Sequence, residues 1–188
     1  MAGVRQFDED RVLAEAAKLF WERGYSATSM QDLAAATGVQ RGSLYNAYGG
    51  KEALFVNAYR HYQQRYMEGV RKALEEKDLR TALRKLFAFS IDLIREGRRG
   101  CLTTKTATDE EAASSEIREA LRRQMNDLEV CLTKRLGESA VELRLPSDAV
   151  ARLLVNHTRG MVVLERIYDD PARLRSDADA LINSVVQD

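Results

Sequence analysis

Between Arg41 and Lys51 the sequence RGSLYNAYGGK spaces polar and cationic side chains along what reads as one helical turn after another: Arg41, Ser43, Tyr45, Asn46, Tyr48 and Lys51. A guanidinium or a carboxamide can make bidentate bonds to base edges, while hydroxyl, phenol and ammonium groups suit phosphate oxygens. A second chemical possibility is Cys101, with Arg98, Arg99 and Lys105 within four residues of it. Cationic neighbours and a nearby helix N-terminus stabilise a thiolate, lowering the thiol pKa and raising its reactivity. The plainer alternative is a structural cysteine, because free cysteine is among the most buried residue types. Cys131, between Leu128 and Leu132, reads as core, and His157 on its apolar stripe reads as a core or interface histidine. No paired carboxylates, nucleophile–base arrangement, phosphate-binding glycine loop or metal-ligand spacing is visible. Neither an enzyme nor a bound cofactor or metal is expected.

The residues of the first stretch need a scaffold. Thr28 followed by Gln31 reads as a capping box opening a short helix through Leu33 and Ala34 to Gly38. Gly38-Val39 makes a tight turn, and a second short helix runs through Leu44 and Tyr45 to Tyr48. Two short helices joined by about four residues with a glycine form a helix-turn-helix. Upstream, Asp8 caps a first helix, with Phe7 and Val12 placed as a hydrophobic staple. Leu13, Ala16, Ala17 and Phe20 share one face of that helix, and Trp21 and Tyr25 extend the cluster as it closes at Gly24.

The order Thr28, Leu33-Ala34, Ala36, Gly38-Val39, Gly42, Leu44-Tyr45, Tyr48, Lys51-Glu52-Ala53-Leu54 resembles the DNA-binding signature of TetR/AcrR-type transcriptional regulators. Gln40 departs from that pattern, which usually has serine as N-cap of the recognition helix; glutamine caps poorly. The resemblance implies DNA contact through Thr28, Arg41, Gly42, Ser43, Tyr45, Asn46, Tyr48 and Lys51, with Tyr45 and Lys51 at positions that touch phosphates. A helix-turn-helix used only for packing is the alternative.

Composition agrees with an all-α chain. Only two prolines interrupt long patterns of 3.6-residue period in the 188 residues. An N-terminal three-helix domain over residues 1–50 and a larger C-terminal helical domain over 51–188 are expected. Net charge is zero, so no global field draws the molecule to DNA. From Gly38 to His61, however, Arg41, Lys51 and Arg60 face only Glu52, a local basic footprint. The two cysteines make no disulfide framework, and the N-terminus has Arg5 and an acidic run where a signal peptide needs an apolar core. No apolar run approaches the roughly 20 residues of a membrane span. A cytoplasmic protein without a membrane partner is expected.

After Gly49-Gly50 a long helix should run from Lys51 to about Glu76, with Phe55, Tyr59, Tyr62, Tyr66, Val70 and Leu74 as its stripe. Another covers Leu79 to Arg95, with too many apolar positions for burial on one side alone. The β-branched run Thr103 to Thr108 predicts only a short helix. Thr108 with Glu111 reads as a capping box opening a helix through Ile117 and Leu121 to Leu136. Two final helices start at Pro146-Ser147 and at Asp170-Pro171. Leu153, His157, Gly160, Met161, Leu164, Leu174, Leu181 and Val185 give them apolar stripes suited to a four-helix bundle with a second copy, or to their own domain. The family resemblance favours the dimer, since that family pairs through its last two helices. The second domain should enclose an apolar effector cavity walled by Tyr62, Tyr66, Phe87, Ile91, Met125 and His157, with Cys101 near the rim.

The functional expectation is a homodimeric regulator, a repressor, that binds a palindromic operator in double-stranded DNA and is released by a small-molecule effector. Three alternatives stand beside it. The segment RGCLTTKTATDEEAASSEIREAL also resembles TetR-type repressors that sense electrophiles or oxidants, which would act here through Cys101. The other two are a small-molecule carrier with a vestigial helix-turn-helix, and an activator.

Overall fold

The computed structural model describes residues 7–96 and 100–187. Arg5, Arg98 and Arg99 lie outside the described residues. The described chain is all-α: α1 Glu9–Arg23, α2 Met30–Thr37, α3 Arg41–Tyr48, α4 Lys51–Leu74, α5 Leu79–Arg95, α6 Leu102–Ala107, α7 Ser115–Gly137, α8 Ser147–Tyr168 and α9 Pro171–Val185. An isolated antiparallel bridge joins Leu143 to Val186. The helices pack as two compact units. One contains the described residues up to Arg65 together with Leu102–Arg122, the other Tyr66–Cys101 and the described residues from Arg123 onward.

In the first unit, Asp8 caps α1 by accepting from the Arg11 amide, and Gly24 ends it at φ +93°, a conformation that L side chains rarely adopt. Val12, Leu13, Ala16, Ala17 and Phe20 are buried on one face. The first half of α4 belongs to this unit because its aromatic stripe meets that of α1. Phe55 sits edge-on to Phe20 and Tyr25, with ring centroids 5.0 and 5.3 Å away, and Tyr62 edge-on to Trp21 at 5.3 Å. Phe55 is fully buried, worth about 1.5–3 kcal/mol relative to exposure.

The capping of α2 differs from expectation by one residue. Ser29 is the N-cap, accepting from the Asp32 amide, while Asp32 accepts in return from the Ser29 amide at 2.9 Å. Thr28 is buried instead, its hydroxyl donating to the Gly24 carbonyl at 2.7 Å. Both Thr28…Gln31 and Ser29…Asp32 fit the capping pattern. The second wins because it places Met30, Leu33 and Thr37 on the buried face of α2. A similar shift occurs before α7. Thr108 donates back to the Thr104 and Lys105 carbonyls, Asp109 caps a 3-10 turn over Glu110–Ala112, and α7 opens only at Ser115, with Ser114 accepting from the Ile117 amide.

In the second unit α5 buries Leu83, Leu86, Phe87, Ile91 and Ile94 in a core shared with Leu154, Val155 and Met161 of α8 and Leu174, Ala178 and Ile182 of α9. Phe89, on another side of α5, presses on α4 at Gly69. A Cβ added there would lie 2.3 Å from the ring, so only glycine permits this approach. The burial of α5 on more than one side thus has a specific partner.

Candidate nucleic-acid interface

Helix α3 is short and starts without a side-chain cap, since Gln40 occupies the N-cap position and makes no capping bond. Packing holds it instead. Leu44 is fully buried and Tyr48 nearly so, four residues apart on one face, and the Tyr48 ring lies 6.4 Å from that of Phe7. Gly38 and Gly49, both left-handed, set the turns at its two ends.

With Leu44 and Tyr48 facing inward, Arg41, Gly42, Ser43, Tyr45 and Asn46 are all exposed. The Arg41 guanidinium lies 5.5 Å from the Tyr45 ring centre, and nothing stands within 4 Å of where a Gly42 Cβ would be, so backbone and side chains are open to approach. Five of the eight residues expected to touch DNA therefore share one outer face. Lys51 is half-buried at the first residue of α4, its ammonium 4.3 Å from the Tyr25 ring centre and 3.4 Å from the Ser26 carbonyl. Thr28 and Tyr48 are buried and present no side chain to that face. Near the start of α2, Arg23 pairs with Asp32 at 2.9 Å. Hydrogen bonds from Ser29, aided by Arg23, hold the Asp32 carboxyl below its usual range.

The residues expected at an effector site divide between the units. Tyr62 belongs to the first unit, against Trp21; Tyr66, Phe87, Ile91, Cys101, Met125 and His157 belong to the second. Tyr66, Phe87 and Ile91 are buried in its core, with Cys101 and Met125 half-buried against it. Among the described residues, a cation that meets Cys101 is one the sequence concealed, 58 residues away: Arg159 Nη1 donates to the sulfur at 3.2 Å. Lys105, expected beside the thiol, donates to the carbonyls of Trp21 and Glu22. The Tyr66 hydroxyl lies beside Ser90 and Arg159 without a well-formed hydrogen bond. Burial raises its pKa, with the Arg159 charge opposing. Burial likewise raises the Cys131 thiol, against the pull of Arg71 and Lys134. An open groove of about 560 Å³, lined by Phe89, Leu93, Arg95, Pro171 and Arg175 among others, contains none of the expected effector residues.

Of the residues expected at a dimer interface, Met161, Leu174 and Val185 are buried in their own unit. Leu153 and Gly160 are exposed, and His157, Leu164 and Leu181 are half-buried. Periodicity marked the apolar stripes but not which edge of each faces inward. The outer face of α8 carries Leu153, Val163, Ile167 and Tyr168, each at least 40% exposed. The His157 ring stands edge-on to Phe87 at 5.3 Å, and its Nε2 is buried without a partner. Burial lowers its pKa, against a smaller upward pull from Asp177.

Residues 12–58 match the family model of the bacterial regulatory proteins, tetR family. Over nearly its whole length the chain is similar to the uncharacterised HTH-type transcriptional regulator YezE of Bacillus subtilis (strain 168). The two are 27% identical over 191 residues, which is 97% of this chain and 98% of YezE. A shorter likeness, 42% over 84 residues, covers 44% of this chain and 40% of the HTH-type transcriptional repressor ComR of Escherichia coli (strain K12). Among solved structures, a cysteine mutant of the TetR family transcriptional regulator CifR, complexed with 26-base-pair operator DNA, matches with a TM-score of 0.85 at 23% identity. That match covers 97% of this chain and 98% of CifR and shows a shared fold. Among the described residues no helix is long and apolar enough to cross a membrane, and no cluster of side chains is suited to a metal ion.

Proposed function

We propose that this TetR-type regulator is a homodimeric repressor that binds a pseudo-palindromic operator and leaves it when a small-molecule effector binds. The observation that carries the reading is the outer face of α3, where Arg41, Ser43, Tyr45 and Asn46 stand exposed on a helix anchored by Leu44 and Tyr48. Arg41 and Asn46 reach base edges and Tyr45 and Lys51 reach phosphates. The dimer is supported by the exposed apolar face of α8, with Gly160 allowing close approach of a second helix. Release follows from linkage. An effector that prefers the conformation with mis-spaced recognition helices weakens operator binding by its differential affinity, commonly about 1–3 kcal/mol. Such a protein works in the cytoplasm, without catalysis.

Anisotropy titrations of labelled operator at several salt concentrations test this reading. Arg41→Ala should cost about 1–3 kcal/mol on the operator and much less on random DNA. Lys51→Ala should weaken all sequences alike and flatten the salt dependence. Unchanged binding in both variants would refute the assignment and favour a carrier with a vestigial helix-turn-helix.

A second reading of the effector has its own observation, the Arg159 guanidinium on the Cys101 sulfur. A cation there favours the thiolate, which would add to the β-carbon of an α,β-unsaturated carbonyl, the alkene π pair moving toward the carbonyl and water protonating the α-carbon as the C–S bond forms. Operator release by an alkylating reagent, lost in Cys101→Ser, would establish this mode; release unaffected by alkylation would leave the reversible ligand.

A further inference from the structure

Contacts outside the helix-turn-helix bear on Lys51. Helix α1 ends at a corner, Gly24 to Ser26, from which the chain passes to α2. Residues some eighty positions later hold that corner. Lys105 donates to the Trp21 carbonyl at 2.7 Å and the Glu22 carbonyl at 3.0 Å, both in the last turn of α1. One turn on, the Asp109 carboxylate accepts the Ser26 amide at 2.9 Å and, through its other oxygen, the Ser26 hydroxyl. That carboxylate is itself fixed, because it also accepts from the Glu111 amide at 3.2 Å. Burial opposes its ionisation, but the bonds from Ser26 together with those from the Glu111 and Ala112 amides outweigh that and hold the carboxyl below the usual range. Ser26 thus gives its amide and hydroxyl to Asp109 and offers its carbonyl to the Lys51 ammonium, which also lies against the Tyr25 ring.

We propose that Asp109 is a positioning residue for DNA binding, fixing Ser26 so that the Ser26 carbonyl and the Tyr25 ring aim Lys51 at a phosphate. This rests on the reading of Lys51 as a phosphate contact. A lysine on a flexible four-carbon stem loses effectiveness when its ammonium is free to wander, and a carbonyl and a ring face restrict it without neutralising it. The sign of the effect is diagnostic. By charge alone, removing a carboxylate beside a DNA-facing surface strengthens binding; by positioning, it weakens binding.

The test is a double-mutant cycle on the full chain, with anisotropy of a random-sequence duplex measured against salt, so that no operator is needed. Lys51→Ala should lower the salt slope by about 1.8 for two protomers, at about 0.9 per phosphate contact. Asp109→Ala should weaken binding about fivefold near 0.1 M salt, recover part of that slope change, and add little in the Lys51→Ala background. Asp109→Asn, which keeps one acceptor oxygen for the Ser26 amide, should restore most of the affinity. Ser26→Ala, an exposed change that spares the fold, should show the same non-additivity at smaller size. Additive losses, an unchanged slope or tighter binding in Asp109→Ala and Ser26→Ala would overturn the proposal while leaving Lys51 a phosphate contact. A salt slope unaffected by Lys51→Ala would overturn both.

Discussion

Arg41 and Asn46 owe their availability to Leu44 and Tyr48, whose burial turns the other face of α3 outward. The sequence showed that stripe through its spacing, and with it which side chains of α3 stand exposed. It did not show which of two adjacent hydroxyls caps α2, because Thr28 and Ser29 both precede a suitable partner three residues on. Only packing, with Thr28 turned inward to Gly24, decides between them. Arg159 beside Cys101 and Asp109 beside Ser26 were equally hidden, since each contact joins residues far apart in the chain. His157 carries a prediction at this scale. Burial lowers its pKa from the ordinary 6.5, so the unfolded chain takes up a proton that the folded chain resists. Stability should be intact above about pH 6.5 and fall as pH drops below it toward the depressed folded value. Thermal melts in that window should shift less with pH in His157→Phe than in the wild type; equal shifts would remove His157 as the cause.

Helix α3 starts without a side-chain cap, and that was legible in Gln40. Serine there would accept from an otherwise unpartnered amide of the first turn and should stabilise the protein by about 0.5–1 kcal/mol. Urea denaturation of Gln40→Ser checks this, and an unchanged midpoint would mean that packing alone holds the helix. Helix boundaries set by composition followed the sequence closely: α5 spans Leu79–Arg95, and the threonine-rich α6 is only six residues long. Boundaries set by side-chain bonding did not. The 3-10 turn capped by Asp109 intervenes before α7, because Asp109 there serves both as cap and as acceptor for Ser26. Periodicity reports which residues share a face; it is silent on which polar atom finds which partner.

For the whole molecule, the proposed dimer would space two recognition helices by two-fold symmetry and so turn a short contact into operator recognition. Each α3 offers few side chains to base edges, so in the proposed reading useful affinity depends on pairing, for which the exposed apolar face of α8 is the proposed surface. Selection of bound duplexes from a random library, followed by sedimentation of the protein with a selected site, tests the account most directly. It predicts a pseudo-palindrome with half-sites about one helical turn apart and two chains on each duplex. Val163→Glu with Ile167→Glu should then give a monomer that loses the operator. No enriched sequence, or one chain bound to a single half-site as tightly as two to the full site, would contradict it.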